Sequence, residues 1–237
     1  MKLSTQDTQY LETILATAAI GGIEAVVIED GFVRGVNPDK TFAIISDNNV
    51  PAFPQKIGIA RLNSLTQRIS IFKGKDTVID AKESERGEIS AMEISSGKNK
   101  VQFRCTSTML IKAPKSINDE VNCDVAITKD EMKMILDAIR VMGAKKVTLA
   151  LRKDGSVQFE IADESNDSFK IVLEYSLPDG KNTEVYYYQA SVLAALLKAK
   201  MDFDTVKFKL GQMGTIKTEI IGHEVTILPQ IGDDTEE

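Results

Sequence analysis

The side chains able to do chemistry are few. The 237-residue chain has one histidine, His223, and two cysteines, Cys105 and Cys123. A single imidazole excludes mechanisms that need two, and its setting in the β-branched run "HEVTIL" reads as strand. The cysteines lack C-x-x-C spacing, so they read as reduced thiols rather than a zinc site or a disulfide framework. No G-x-x-x-x-G-K-[ST] or G-x-G-x-x-G loop occurs, and nucleotide hydrolysis is therefore unsupported. The acids of "DAKESERGE" and "ADESND" sit in polar loops without the calcium-loop spacing. No cofactor and no metal site is expected, and the reading favours a binding or scaffolding protein over an enzyme.

What remains is the chemistry of contact. Arg61, Ser64 and Arg68 recur at helical spacing, Lys129, Lys133 and Arg140 share another helical flank, and Lys198 opposes an apolar stripe. The net charge of −6 conceals an asymmetry: residues 1–115 carry +2 and residues 116–237 carry −8, half of it in the last five residues. Sparse cations on polar helical faces suit loose contact with phosphates and give no means of reading bases. The same pattern is also the ordinary outer face of an amphipathic helix in any soluble protein. At the other end of the chain, "HEVTILPQIGDDTEE" sets an apolar-Pro-x-apolar segment, Leu228, Pro229 and Ile231, against an acidic tail.

Four helices are needed to position these residues. The first follows a Ser4–Asp7 capping box, with Leu11, Ile14, Leu15 and Ala18 inward and Gln6, Gln9, Thr13 and Thr17 outward. The second is "IARLNSLTQRIS", with Leu62, Leu65, Thr66 and Ile69 inward. The third follows a Thr128–Glu131 capping box, carries the stripe Met132, Ile135, Leu136 and Ile139, and stops at Gly143. The fourth is "QASVLAALLKAK", with Leu193, Leu196 and Leu197 inward. Between them lie short strands with turn signals at Asp30-Gly31, Asp154-Gly155 and Pro178-Asp179-Gly180.

The order of elements is helix, strands, helix, strands, given twice at similar spacing, which implies two topologically alike α+β domains with antiparallel sheet. The expected division is a first domain at 1–112, a connector at 113–123 and a second domain at 124–237. No apolar run is long enough to span a bilayer and the N-terminus lacks a signal-like apolar core, so a soluble, cytoplasmic protein without membrane contact is expected.

Three stretches, "MKLSTQDT", "IARLNSLTQRISIF" and "IGHEVTILPQIGDDTEE", resemble the DNA polymerase sliding clamps, the ring-forming processivity factors of the tailed-phage and proliferating-cell-nuclear-antigen groups. Gln230 departs from the pattern, standing where a basic residue is the rule. The resemblance spans the whole chain through the duplicated element order. It implies the clamp fold: a closed homotrimeric ring with helices lining the hole and sheets outside, since two-domain clamp chains form trimers. Arg61, Arg68, Lys129, Lys133, Arg140 and Lys198 would then face duplex DNA without sequence preference.

Ring closure would pair "KVQFRCTSTMLI", through Val101, Phe103 and Met109, with "SFKIVLEYS" of the next subunit, through Phe169, Ile171 and Leu173. Partner peptides from a DNA polymerase and an ATP-dependent clamp loader would dock among Ile117, Val121, Leu228, Pro229 and Ile231. The phage members also imply a late-transcription factor as partner. Two other classes stay open on the residues alone: an oligomeric structural or assembly protein of a virus, and a metal-dependent enzyme using the loop carboxylates.

Overall fold

The computed structural model describes residues 2–29, 31–47, 56–72, 77–152, 156–165, 167–174 and 184–230. The chain divides into two units, Met1–Ile117 with Ile221–Glu224, and Asn118–Ile220 with Val225–Glu237. The expected signals at Asp154-Gly155 and Pro178-Asp179-Gly180, and the acidic tail, lie outside the described residues.

The first unit runs α1 (Thr5–Ile20), β1 (Ala25–Glu29), β2 (Phe32–Val36), β3 (Phe42–Asp47), β4 (Lys56–Ala60), α2 (Leu62–Ser70), β5 (Val78–Glu83), β6 (Glu88–Ser96) and β7 (Asn99–Arg104). Helix α1 starts where the sequence says it should. Asp7 N–H donates to Ser4 Oγ at 3.1 Å and Ser4 N–H donates back to Asp7 Oδ2 at 3.0 Å, satisfying two of the donors a helix start leaves orphaned. Its inward stripe is as expected, with Leu11, Ile14 and Ala18 fully buried. Thr17, expected outside, is fully buried, and half-buried Thr13 bonds His223. The outer face of α1 is instead Gln6, Gln9, Glu12, Ala16 and Ala19.

The second unit runs β8 (Val121–Thr128), α3 (Lys129–Met142), β9 (Lys146–Leu151), β10 (Ser156–Ala162), β11 (Ser168–Glu174), β12 (Val185–Gln189), α4 (Ala190–Ala199), β13 (Thr205–Gly211), β14 (Ile216–Ile220) and most of β15 (His223–Ile227), whose first two residues fall in the first unit. Helix α3 opens on the Thr128–Glu131 box and closes at Gly143, whose φ of 60° is the left-handed turn that favours glycine at a helix end. Strand β13 alternates as expected: Val206, Phe208 and Leu210 are buried while Lys207 and Lys209 are exposed.

The duplication is topological. In the first unit the strands lie β4-β1-β2-β3, and β5 pairs with β6, which also takes β7 and, in parallel over two residues, β4. In the second they lie β12-β9-β10-β11 and β13-β14-β15. Each four-strand run precedes a short helix, α2 or α4, and each three-strand run follows it. Even the strand before the long helix has a counterpart: β8 pairs with β13, and Lys2, just before α1, bridges Asp80 of β5. In each unit two helices cover apolar sheet faces; Leu65 of α2 and Ile135 of α3 are fully buried, and truncating such a side chain costs roughly 2–5 kcal/mol.

Candidate nucleic-acid and partner surfaces

Helix α2 begins at Leu62 rather than Ile59, and its cap has no side-chain bond. Arg61 occupies the cap position at φ 60°, ψ 52°, a left-handed conformation that is strained for a side chain of this size. The turn carries the guanidinium over Phe103 of β7, 5.6 Å from the ring centroid. Arg68, two turns later, lies over the same ring at 5.8 Å and donates to Ser64 O at 2.9 Å. The two arginines therefore flank one aromatic platform, Arg61 exposed and Arg68 half-buried. Thr66, expected inward, is exposed and donates to Leu62 O at 3.1 Å.

On α3, Lys129, Lys133 and Arg140 are all exposed and fall within roughly 40° of one another at 3.6 residues per turn. Arg140 is paired with Asp137 at 2.9 Å, an exposed i,i+3 contact that holds its charge only weakly. Lys198 is exposed on α4 beside the small side chains Ser191 and Ala195. The first unit thus gathers Arg61 and Arg68, and the second gathers the α3 stripe and Lys198. A second exposed stripe on α3, Met134 at 46% and Val141 at 79%, escaped the sequence reading because charged neighbours interrupt it. Together with Met142 and Phe169 it lines an apolar groove of about 430 Å³.

The two segments expected to close a ring are both edges. Strand β7 has β6 as its only strand partner and β11 has β10 as its only one among the described residues. The first is shorter than the expected 100–111: it ends at Arg104, and Met109 stands in a 3-10 turn at Thr108–Leu110. Phe103, Ile171 and Leu173 are buried within their own units, Val101 and Phe169 are half-buried, and Val172 is 55% exposed.

Of the expected peptide-binding residues, Ile117 belongs to the first unit, and Val121, Leu228 and Pro229 belong to the second. Val121, placed by sequence in the connector, is the first residue of β8, opposite Gly211, and is 49% exposed. Ile117, Leu228 and Pro229 are half-buried, and Ile231 lies outside the described residues. Within the second unit a run of bonds joins the connector's end to the C-terminal segment. Buried Asp119 accepts from Met213 N at 2.9 Å and from Thr215 N and Oγ1 at 3.2 and 2.7 Å. In the same turn Gly214 O accepts from Tyr188 Oη at 2.5 Å, and a Cβ on Gly214 would strike the Tyr186 ring at 2.2 Å. Tyr187 O in turn accepts from Gln230 N at 2.7 Å. Burial raises the Tyr188 phenol well above its ordinary range, and burial followed by Glu184 raises that of Tyr186, so both remain donors at neutral pH.

Neither cysteine offers a thiolate. Burial pushes the Cys105 thiol up to about 12, and burial with nearby Asp124 pushes Cys123 up to about 11, which leaves both protonated at neutral pH. Among the described residues no group of three or more His, Cys, Asp or Glu is placed to hold a metal ion, and no helix is long and apolar enough to cross a membrane.

Solved structures match this arrangement over almost its whole length. A. fulgidus PCNA, bound to the C-terminal region of FEN-1, aligns with TM-score 0.64 and 15% identity over 95% of this chain and 96% of its own. The DNA polymerase III subunit beta of Pseudomonas aeruginosa aligns with TM-score 0.69 and 14% identity over 98% of this chain and 66% of its own. This is the sliding-clamp fold. A second Pseudomonas aeruginosa structure, a DNA polymerase sliding clamp with ligand, gives TM-score 0.66 at 10% identity with the same coverage. No protein-family profile and no curated protein sequence matches the chain.

Proposed function

We propose that the protein is a sliding clamp: copies of it close into a ring around duplex DNA and tether a replicative polymerase, after loading by an ATP-dependent clamp loader. The observation that carries this reading is the whole-chain likeness to two clamp architectures, with the same duplicated strand order in both units. The chain spans nearly all of the archaeal subunit and 66% of the bacterial one, which supports a two-domain subunit and hence a trimer.

In this reading Arg61, Arg68, Lys129, Lys133, Arg140 and Lys198 face the DNA. None is built into a base-reading fork, so their attraction to phosphates is screened and lets the ring slide. The α3 stripe carries most of it, because Arg68 is folded back on Ser64 and Phe103. Partner-peptide docking is assigned to Ile117, Val121, Leu228, Pro229 and Ile231, the residues that the clamp resemblance implies.

The test is primer extension with a cognate polymerase, loader and ATP. Wild-type protein is expected to lengthen synthesis per binding event at least tenfold. Lys129→Glu with Lys133→Glu and Arg140→Glu is expected to abolish that gain without changing the oligomer's mass, and Leu228→Ala with Ile231→Ala is expected to abolish it while DNA retention persists. No gain from the wild-type protein would overturn the clamp reading; a full gain from either variant would overturn the corresponding surface.

A further inference from the structure

Helix α2 starts against its own local preferences. Arg61 holds the cap position in the left-handed region, where glycine is the unstrained choice. No side chain caps the helix, and no acid in the first turn offsets the meeting of a cation with the positive end of the helix dipole. Strain of this kind persists where the side chain it places has work to do.

The result of that strain is a guanidinium held in place. Phe103 of β7 is 2% exposed, with Arg61 Cζ 5.6 Å and Arg68 Cζ 5.8 Å from its ring centroid. The two cations differ in what they have left to give. Arg68 is half-buried, donates through Nη1 to Ser64 O and Oγ, and has its Nε buried. Arg61 is exposed, and its side chain makes no capping bond. A cation–π contact consumes no N–H donor, so the Arg61 fork stays open to an anion. An arginine already restrained also loses less side-chain entropy on meeting a phosphate than a free one does.

We propose that Phe103 is a positioning residue for DNA contact: its ring, with Arg68 on it, holds Arg61 for a phosphate of the duplex backbone. This rests on the DNA-encircling reading above and sharpens it, giving the first unit's contact to Arg61 while Arg68 stays with Ser64 and the ring. Charge alone would be served by a lysine at an unstrained position. The left-handed turn and the aromatic ring are needed only where the place of the charge matters. Phe103 also fills the core beneath α2, and the two roles are separable.

The experiment measures binding of the full-length protein at low salt to a linear mixed-sequence duplex, whose free ends can thread a closed ring, alongside unfolding by urea. Arg61→Gly relieves the backbone and removes the fork. It is expected to weaken DNA binding at least threefold without lowering the urea midpoint. Phe103→Leu keeps an apolar side chain in the core and removes the ring. It is expected to weaken binding at least threefold on its own and to add nothing in the Arg61→Gly background, whereas a purely structural Phe103 would weaken both backgrounds alike. Should Phe103→Leu not fold, Arg61→Lys replaces it: the charge is kept and the planar fork lost, and binding as tight as wild type overturns the proposal. Unchanged binding in either single variant, a lowered midpoint in Arg61→Gly, or equal losses from Phe103→Leu in both backgrounds would overturn it and leave the clamp reading standing. No binding by the wild-type protein would overturn the DNA reading, and this proposal with it.

Discussion

His223 is the chain's one imidazole, and its work is structural. It is 1% exposed in the first unit, its ring tilted by 39° against that of Tyr10 at 5.3 Å between centroids, with Nε2 at 2.8 Å from Thr13 Oγ1. The Thr13 hydroxyl donates to Tyr10 O at 2.7 Å, which leaves the Thr13 oxygen to accept from the imidazole Nε2–H. Burial lowers its pKa from 6.5 to about 4. Between those values the unfolded chain binds a proton that the folded one refuses. Stability is therefore full above pH 6.5, declines as pH falls toward 4, and loses no more from this group below that. His223→Gln keeps an amide donor toward Thr13 and cannot titrate. Unfolding by urea at pH 7 and pH 4.5 is expected to show wild type losing about 2–3 kcal/mol more than the variant over that interval. Equal losses would assign the acid sensitivity to other groups. The sequence placed His223 in a strand correctly, but put Thr13 and Thr17 on the outer face of α1. A threonine's hydroxyl marks it as polar, yet one internal bond lets its methyl pack inward, and that bond lies more than two hundred residues away in the chain.

At the scale of elements, helices were more legible than their connections. Ser4 with Asp7 and Thr128 with Glu131 announce α1 and α3 because the capping bonds are local, and the stripes behind them set the buried faces. Helix α2 starts three residues later than its periodicity implies, because Arg61 caps it through backbone conformation, which no residue type signals. The edge status of β7 and β11 followed only from the resemblance, since strand pairing is non-local. Least legible was the end of the connector. Asp119 looked like one more acid in a polar stretch, yet it is 8% exposed and receives three bonds from the β13–β14 turn. Removing its carboxylate leaves those donors facing a void. Asp119→Ala is expected to destabilise the protein by roughly 2–3 kcal/mol. Amide exchange at Met213 and Thr215 should accelerate while the interior of α3 keeps its protection. If exchange at the turn is unchanged, the carboxylate does not anchor it. Because the same turn supports Tyr186 and Tyr188, and β12 holds Gln230, the variant should also weaken peptide docking at the C-terminal segment.

For the whole molecule, each unit ends in something unfinished. Strand β11 leaves one backbone edge without a strand partner among the described residues, and the apolar groove of Met134, Val141, Met142 and Phe169 lies on the same unit. Strand β7 leaves the corresponding edge on the first unit, where Ile71, at the end of α2, is 60% exposed. Unpaired edges and open apolar grooves are liabilities for a monomer and complementary for copies joined head to tail. Such a contact closes into a ring when the rotation between copies divides a full turn. In the proposed ring, β7 of one copy adds to β11 of the next, with Ile71 and Val101 covering Met134, Val141 and Phe169. Phe103, Ile171 and Leu173 contribute by stiffening the two strands from within, since their side chains are already buried in their own units. Light scattering is expected to give three times the chain mass of 26.0 kDa. Met134→Asp with Val141→Asp places two charges in the groove without touching either core, and is expected to raise the dissociation constant at least a hundredfold, about 2.7 kcal/mol. Met213→Asp, at a position 66% exposed in the β13–β14 turn, serves as the control and should keep the native mass. Should the double variant retain the native mass, the α3 groove lies outside the closing interface, and the two strand edges alone would have to hold the ring.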